Sequence, residues 1–259
     1  MNESLVELAR DGEVATVTLN RPAKLNSLTP GMLDQLESCA RELDVDSVVR
    51  VVILTGSGSK AFCVGADINE WASLQPLDMW RRWVRRGHQV FDQWARLRQP
   101  VISAINGHAF GGGLELAIVG DIRIAAAGAQ FALPEASIAT CPGWSGTQRL
   151  VRLIGASHAK YLALSGQRLT AGDSMRAGLV HEVVASEGLM DRANALAREM
   201  ASKAPVSMQL TKQLINAAAG EDADATLEAI AGALAASTQD AIEGISSFRE
   251  KRVPRYHGR

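Results

Sequence analysis

The chain has 259 residues and a formal net charge of −1 at pH 7, and 47% of its residues are hydrophobic while 5% are aromatic. This length is enough for one large domain, or for one domain with an appendage, and for a full hydrophobic core. The near-neutral charge excludes a general electrostatic attraction to nucleic acid or membranes, and the abundance of Ala, Val, Leu and Ile favours an α/β protein.

Apolar patterning predicts strands mainly in the first half of the chain. Two strands flank a turn signal at Asp11-Gly12. A continuous apolar run over residues 48–55 is typical of a strand that is covered on both faces. The predicted strands cover residues 5–8, 14–19, 48–55, 101–105, 122–126 and 181–184.

Helices are predicted from capping signals and from helical spacing of apolar residues. Thr29 is a candidate N-cap, with Pro30 at the first helical position. Trp80, Val84 and Phe91 recur near helical spacing and predict a helix over residues 79–98. The predicted helices cover residues 30–44, 79–98, 112 to about 119, 147–154, 156–164, 171–177, 189–204, 206–219, 222–237 and 239–251. A shift to all-helical composition predicts a boundary between residues 1–199 and 200–259.

Cysteine usage and the N-terminus bear on the compartment. Cys39, Cys63 and Cys141 are odd in number and lack CxxC spacing, which argues against a disulfide scaffold or zinc site and favours a reducing compartment. The first residues lack a signal-peptide pattern, and no apolar run reaches transmembrane length. We therefore expect a cytoplasmic protein without a membrane partner.

Two small-residue loops are candidates for an oxyanion site. Gly112 belongs to a triple glycine at the entry of a predicted helix, where a backbone amide can face a ligand without a Cβ in the way. Ala66 lies in a second such loop that follows a predicted buried strand. Two amides of this kind can stabilise a developing negative charge. Close helix–strand packing is the alternative explanation of a glycine run.

Two glutamates lie beside features that suit a buried reactive site. Glu115 is one helical turn beyond Gly112 in an otherwise apolar helix, where an unpaired carboxylate would be costly. Glu135 follows Pro134 after a short apolar run. An ion pair with Arg123 or Arg149, or plain exposure, is the structural alternative for either glutamate.

The order and spacing of several segments resemble the enoyl-CoA hydratase/isomerase family, the crotonase superfamily, along nearly the whole chain. The matching segments are LNRPAKLNSL (19–28), AFCVGADINE (61–70), INGHAFGGGLELA (105–117), DIRIAA (121–126), QFALPE (130–135), PGWSGTQRL (142–150) and SSFREKR (246–252). This resemblance implies an α/β fold, a crotonase-like spiral of ββα units over residues 1–199, followed by a C-terminal helical trimerisation region over 200–259. It also implies a trimer, or a hexamer of two trimers, that acts on an acyl-CoA thioester without a metal or other cofactor.

The resemblance also assigns site residues. The amides of Ala66 and Gly112 would hold the thioester carbonyl. Trp80 and Trp144 are expected to line the acyl pocket. The residues matched to CoA-binding positions are Lys24, Ala66, Asp67, Ile68, Asn69, Gly112, Phe248 and Lys251. In the family, the residues at the positions of Phe248 and Lys251 often reach CoA from a neighbouring subunit.

Both glutamates together resemble the hydratases of the family. Glu115 would orient and deprotonate a water that adds to the β-carbon of an enoyl-CoA, and Glu135 would donate a proton to the α-carbon. A Δ3-Δ2-enoyl-CoA isomerase, which commonly keeps only the acid near Glu135, and a carnitinyl-CoA-type dehydratase are the alternatives. Three departures leave the size of the acyl group open: Ser145 stands where glycine is frequent, Trp144 is bulkier than usual, and Asn69 stands where lysine is common.

Other functions have weaker support in the sequence. The run from Gly56 to Ala61 fits a dinucleotide-binding pattern, but the residues that follow do not start a helix. The segment around Ser145 lacks the second glycine of a nucleophile elbow. His108 is expected to be a packing or hydrogen-bonding residue. The arginines and aromatics of residues 80–98 could bind RNA, although their helical spacing favours a core or pocket-lining role.

Overall fold

The computed structural model describes residues 4–259, and its strands form two sheets. The six-stranded sheet has the order β1-β2-β3-β5-β7-β10, in which only β1 and β2 pair antiparallel. The four-stranded sheet has the order β4-β6-β8-β9, in which only β8 and β9 pair antiparallel. The strands are β1 Val6–Asp11, β2 Val14–Leu19, β3 Val51–Gly56, β4 Ala61–Cys63, β5 Val101–Ile105, β6 His108–Phe110, β7 Ile122–Ala126, β8 Gln130–Ala132, β9 Leu169–Thr170 and β10 Glu182–Val184.

Eleven α-helices occur in the described residues, together with three-residue to six-residue segments of 3₁₀ or π geometry. The helices are α1 Pro30–Val45, α2 Ile68–Trp71, α3 Pro76–Asp78, α4 Arg85–Ala95, α5 Gly112–Ala117, α6 Gly146–Ser165, α7 Ala171–Arg176, α8 Leu189–Ala201, α9 Pro205–Ala218, α10 Ala223–Ala236 and α11 Gln239–Glu250. The N-cap of α1 is the predicted one, since Thr29 Oγ1 accepts a hydrogen bond from the Met32 amide at 3.2 Å. Helix α6 contains a break at Gly155, which has φ +74°, and it therefore covers two predicted helices.

The central strand β3 is buried on both faces, as its sequence predicts. All six of its residues are buried, and alternate side chains enter two different apolar clusters. Val52 and Leu54 join the larger cluster, while Val51 and Ile53 pack in a second cluster with Leu189, Ala193, Ala197 and Ala201 of α8. The predicted start at residue 48 is too early, because Val48 is exposed and the strand begins at Val51. Helix α8 covers one face of the sheet. The opposite face packs in the larger cluster, which also contains residues of β4 and α5.

The predicted uniform helix over residues 79–98 is wrong in its first turns. Residues Met79–Val84 form a π-helix, and only Arg85–Ala95 are α-helical. A π-helix pairs residues five positions apart rather than four, so its side chains leave the faces expected from a 3.6-residue period. As a result Trp83 is buried and Trp80 is 55% exposed.

The chain divides into two compact units, one ending at Gln209 and one running from Leu210 to Arg259. The second unit contains α10 and α11, and it exposes many large apolar side chains, namely Leu210, Leu214, Ile215, Leu227, Leu234, Ile242, Ile245, Phe248, Val253 and Tyr256. The predicted assignment of residues 1–199 to a catalytic core and of 200–259 to oligomerisation stays a prediction. Among the helices in residues 4–259, none combines the length and the apolar character needed to cross a bilayer.

Gly113 allows α5 to lie directly against strand β4. A Cβ atom at Gly113 would overlap the carbonyl oxygen of Cys63, whereas a Cβ at Gly128 would meet nothing within 4 Å. We expect Gly113→Ala to destabilise the protein by about 2–4 kcal/mol, since the backbone of β4 or α5 must move to admit the methyl group. Urea unfolding measures this loss, and Gly128→Ala is the matched control. Equal unfolding midpoints for the two variants would contradict this packing account.

Candidate active site

A cavity of about 190 Å³ brings four predicted site residues together. Ala66, Gly112, Glu115 and Glu135 all line it. The first follows β4, the next two belong to α5, and the last begins a 3₁₀ segment, Glu135–Ile138, after β8. The four-stranded sheet positions all of them, because β4, β6 and β8 are neighbours and run parallel. Loops that follow neighbouring parallel strands meet at one edge of a sheet.

Two backbone amides face the cavity as neighbours. An ideal Cβ on Gly112 would lie 3.6 Å from the Ala66 nitrogen, so the two loops are in contact. Within residues 4–259, neither amide donates a hydrogen bond to another protein atom. Gly112 is the first residue of α5, where a helix leaves its N–H groups without intrahelical acceptors. The pair of amides can therefore donate to one oxygen atom of a ligand.

Glycine conformations permit this approach. Gly65 has φ +98°, and a Cβ there would lie 2.9 Å from the carbonyl oxygen of Phe110. Gly111 has φ +53°, and a Cβ there would lie 2.8 Å from Oε1 of Glu135. Residues other than glycine are strained in this region of φ. These two positions therefore need glycine both for the backbone and for the space beside the carboxyl group.

The carboxyl group of Glu115 is buried and is held by backbone donors. Glu115 is 3% exposed, and its Oε1 accepts hydrogen bonds from the amides of Trp144 and Gly146, each at 2.8 Å. Burial raises the pKa of Glu115, and these amide hydrogen bonds oppose the rise because they stabilise the carboxylate. The carboxyl group thus lies in a fixed orientation beside the cavity.

The arginines considered as structural partners of the glutamates have other partners. Arg149 donates to Asp92 Oδ1 at 2.8 Å. Arg123 donates to the carbonyl oxygens of Leu179 and Gly120, each at 2.6 Å.

The carboxyl group of Glu135 has a different environment. Its Oε2 atom is buried and, among the described residues, has no hydrogen-bond partner. Burial, followed by the repulsion from Glu115, raises the pKa of Glu135 to about 7. A carboxyl group with this pKa is protonated in a large fraction of molecules near neutral pH. Burial therefore raises the pKa of both glutamates, but only Glu115 has backbone amide donors that favour its ionised form.

Three of the residues matched to CoA-binding positions lie together at the start of α2. Asp67 caps this helix by accepting from the Asn69 amide at 3.1 Å, and its other oxygen accepts from Arg21 at 2.6 Å. The hydrogen bond from Arg21 lowers the pKa of Asp67. Ile68 and Asn69 are exposed, and Ile68 also lines the cavity. Asp67 thus orders the loop that presents Ala66, a role that its sequence position alone does not reveal.

The remaining CoA-binding candidates are more dispersed along the chain. Lys24 is exposed in a 3₁₀ segment, Pro22–Lys24. Phe248 is 85% exposed on α11, and Lys251 follows the same helix in a left-handed conformation. Both belong to the second compact unit, so their contact with CoA stays a prediction.

Of the two tryptophans predicted to line the acyl pocket, Trp80 and Trp144, only Trp144 lines the cavity. Trp144 is 3% exposed and lines the cavity. The prediction for Trp80 is wrong: its side chain is 55% exposed and does not line this cavity, because the π-helix rotates Trp83 inward in its place. The rings of Trp83 and Phe91 pack against Trp144, with centroids 5.3 and 5.2 Å away. The six residues of this π-helix are too few for the sequence to reveal its changed side-chain spacing.

Ser145 forms a polar cluster that the sequence did not predict. Its Oγ lies 2.8 Å from His88 Nδ1 and donates to Asp92 Oδ1 at 3.1 Å. His88 and Asp92 are four residues apart on α4, with His88 Nε2 3.1 Å from Asp92 Oδ2. Nothing in the sequence of α4 distinguishes these two residues from an ordinary surface pair.

The motifs assigned to other functions do not form the sites that they suggest. Strand β4, not a helix, follows the run of residues 56–61. His108 stacks on Phe110 with centroids 5.2 Å apart. Among the described residues, no group of three or more His, Cys, Asp or Glu side chains is placed to hold a metal ion.

Comparisons with known proteins give matches along nearly the whole chain. A sequence profile described as "Enoyl-CoA hydratase/isomerase" matches residues 9–259. The chain is 41% identical to a short-chain-enoyl-CoA hydratase from Clostridium acetobutylicum over 249 residues, which is 95% of both chains. It is 37% identical to a crotonyl-CoA hydratase from Syntrophomonas wolfei, again over 95% of both. An enoyl-CoA hydratase structure from Bacillus anthracis superposes with a TM-score of 0.82 at 37% identity, covering 99% of this chain and 100% of that one.

Proposed function

Because the chain belongs to the enoyl-CoA hydratase/isomerase family, we propose that it is an enoyl-CoA hydratase, which adds water reversibly across the 2,3 double bond of an enoyl-CoA. The observation that carries this proposal is the cavity itself. It is lined by two glutamates together with two backbone amides that donate to no protein atom in residues 4–259. Hydration needs both kinds of group, since it requires two proton transfers and stabilisation of an enolate.

The thioester carbonyl would accept hydrogen bonds from the amides of Ala66 and Gly112. These bonds draw electron density from the conjugated double bond and make the β-carbon electrophilic. They strengthen as negative charge develops on the oxygen, so they favour the transition state over the bound substrate. Removing one such donor costs on the order of 10²–10³-fold in kcat.

The two carboxyl groups would then complete the addition of water. Ionised Glu115 takes a proton from a water molecule as its oxygen bonds to the β-carbon, and protonated Glu135 gives its proton to the α-carbon. The product is a 3-hydroxyacyl-CoA, and the reaction leaves Glu115 protonated and Glu135 ionised. Proton exchange with solvent restores both groups. Burial raises the pKa of both carboxyl groups, to about 7 for Glu135. The two amide donors on Glu115 favour its ionised form, whereas Glu135 Oε2 has no partner among the described residues, and this difference supports the division of roles.

Crotonyl-CoA in ¹⁸O-labelled water provides the direct test. We expect loss of the enoyl thioester absorbance and one ¹⁸O atom at the β-carbon of the product. The same assay with a 3-enoyl-CoA distinguishes an isomerase, which would form the 2-enoyl thioester without label. Isomerisation without any label uptake from crotonyl-CoA would overturn the proposal.

The walls of the cavity support a short acyl group as substrate. Its volume, about 190 Å³, is below the roughly 300–1,000 Å³ of most ligand pockets. Trp144 forms one wall, and it is fixed there because a Cβ on Gly112 would lie 2.8 Å from its Cε3 atom. A Cβ on Gly87 of α4 would overlap the other edge of the indole. A ring held between these two glycines cannot swing aside for a long chain.

We expect Trp144→Leu to extend the range of acyl groups. The ratio of kcat/KM for 2-octenoyl-CoA to that for crotonyl-CoA should rise about tenfold or more, because pocket space for a methylene is worth about 1–3 kcal/mol. Steady-state assays on esters of four to eight carbons measure this ratio. Trp71 also lines the cavity. The Trp71→Leu variant therefore tests whether replacing any tryptophan of the cavity wall raises this ratio, or only replacing Trp144. An unchanged ratio in Trp144→Leu would remove Trp144 as the limiting wall.

We also propose that copies of this chain associate through the second compact unit. Its exposed apolar side chains, among them Leu227, Leu234 and Phe248, support this proposal. Apolar patches of this kind on a soluble enzyme usually mark a subunit interface. Association would also account for CoA contacts by Phe248 and Lys251 from a neighbouring subunit.

A further inference from the structure

We propose that Ser145 is a positioning residue for the reaction: it ties the Trp144–Gly146 turn to helix α4 through His88 and Asp92, and so holds the two backbone amides that orient the Glu115 carboxyl group. The expected effect on kcat rests on the proposed function, whereas the expected effect on the hydrogen bonds and pKa of Glu115 does not.

Ser145 lies between the two donors. The amides of Trp144 and Gly146, on either side of it, both donate to Glu115 Oε1 at 2.8 Å. The turn also packs against the same side chain, since a Cβ on Gly146 would lie 2.5 Å from Glu115 Cγ. A small displacement of this turn therefore changes both the orientation and the hydrogen bonding of Glu115.

The turn has a conformation that serine does not favour. Ser145 has φ +76° and ψ 8°, in the left-handed region. Glycine adopts this region without steric cost, while other residues need support from their surroundings. The side chain of Ser145 supplies such support, because its Oγ contacts His88 Nδ1 at 2.8 Å and Asp92 Oδ1 at 3.1 Å.

The anchor on α4 is itself fixed. Asp92 Oδ1 also accepts from Arg149 of α6 at 2.8 Å, and the side chain of Arg149 is 7% exposed. Asp92 therefore connects α4 both to the turn, through Ser145, and to the start of α6, through Arg149. A partly buried carboxylate that is ion-paired with a buried arginine holds a hydroxyl group more firmly than solvent would.

A nucleophilic role for Ser145 is the competing interpretation of a Ser, His and Asp cluster. Ser145 is only 5% exposed, and it is not among the residues that line the cavity. Its hydroxyl group instead contacts His88 and Asp92 of α4. The cluster is consequently placed to hold the turn rather than to attack a substrate.

Ser145→Gly separates the tether from the backbone conformation. Glycine removes the side chain but relaxes the left-handed strain, so a purely conformational role predicts equal or higher stability and equal turnover. We expect instead that kcat for crotonyl-CoA falls about tenfold, with KM changed less than about twofold and no loss of thermal stability. Asp222→Gly, at another residue with positive φ (+57°), is the control for strain relief and should leave kcat unchanged.

His88→Ala and the double variant with Ser145→Ala test whether the two side chains act as a unit. We expect each single variant to lower kcat and the double variant to lower it no further than the larger single effect. Additive losses, or a change in KM alone, would contradict the proposal. Wild-type kcat in Ser145→Gly would overturn it outright.

A measurement without substrate distinguishes failure of this inference from failure of the proposed function. The ¹³C NMR titration of the glutamate side-chain carboxyl carbons, with the Glu115 signal assigned from Glu115→Gln, reports Glu115 directly. Its midpoint should move to higher pH in Ser145→Gly, because weaker amide donation favours the protonated form. The other charged groups near the turn and the cavity, Glu135, Arg149, His88 and Asp92, are the same in both proteins. An unmoved midpoint would refute the tether even if the enzyme hydrates crotonyl-CoA.

Discussion

Glu115→Gln is expected to reduce kcat for crotonyl-CoA hydration by about 10³–10⁴-fold, near the upper limit for general base catalysis. The amide keeps the shape of the side chain, and its oxygen can still accept from the Trp144 and Gly146 amides, whose bonds to Glu115 are 2.8 Å long. What it lacks is the charge and the basicity needed to take a proton from water. KM should change little, because the amides of Ala66 and Gly112, not Glu115, are proposed to hold the substrate carbonyl.

The stability of this variant should not fall as its activity does. Burial raises the pKa of Glu115 because desolvation penalises the charged form, and a neutral amide does not carry that penalty while its oxygen can still accept from the two backbone amides. Steady-state kinetics and a thermal melt on the same preparation separate the two effects. Glu70→Gln, at an exposed glutamate of α2, is the matched control. Normal hydration by Glu115→Gln would show that another group handles the water, and would favour isomerisation of a 3-enoyl-CoA.

Glu135→Gln is expected to lower kcat by about 10²–10³-fold through loss of the proton donated to the α-carbon. In the wild type, kcat should decline as pH rises through about 7, since the donor loses its proton there. The residual activity of the variant should lack this alkaline limb. A pH series of kcat for both proteins makes the comparison, and Glu187→Gln, at an exposed glutamate, is the control. A limb that persists in Glu135→Gln belongs to another group.

The same substitution should change how stability depends on pH. The pKa of Glu135 is raised from 4.5 to about 7 in the folded protein, so the folded state binds the proton more tightly than the unfolded chain. The resulting stabilisation is complete below about pH 4.5 and is lost as pH rises through 7. Between pH 5 and pH 8, we expect the free energy of unfolding of the wild type to fall by about 1–2 kcal/mol more than that of Glu135→Gln. The expected difference is this small because Glu135 is partly exposed and solvent screens its charge. Denaturant unfolding at the two pH values measures it.

The sequence predicts the large sheet and its covering helices well, because those elements are long enough to show their periodicity. Strand β3 and the cap of α1 are examples, since a continuous apolar run and a Thr-Pro pair have direct physical meanings. The small sheet has strands of two or three residues, such as β8 and β9. No alternation can be recognised over so few positions, so this sheet was not predicted, although it is what aligns the site loops.

The site shows the same division between local and tertiary information. The two glutamates and the glycine loops are recognisable because carboxylates in apolar surroundings and clustered glycines are locally unusual. The partners of Ser145 are not, since His88 and Asp92 acquire their role only when α4 packs beside α6. The sequence predicted Trp80 as a pocket residue, but Trp83 lines the cavity in the structure. The difference arises from the π-helix over Met79–Val84, which the local sequence does not reveal.

Selectivity and reactivity are joined in one residue of this molecule. The main chain of Trp144 donates to Glu115, the proposed general base, while its indole lines the cavity that we propose for the acyl group. A side-chain substitution at residue 144 keeps this amide, but it alters the basicity of Glu115 if the loss of the packed ring moves the turn that carries the amide. Evolution toward longer substrates at residue 144 should need compensating substitutions in α4, where Gly87 and Phe91 touch the same ring.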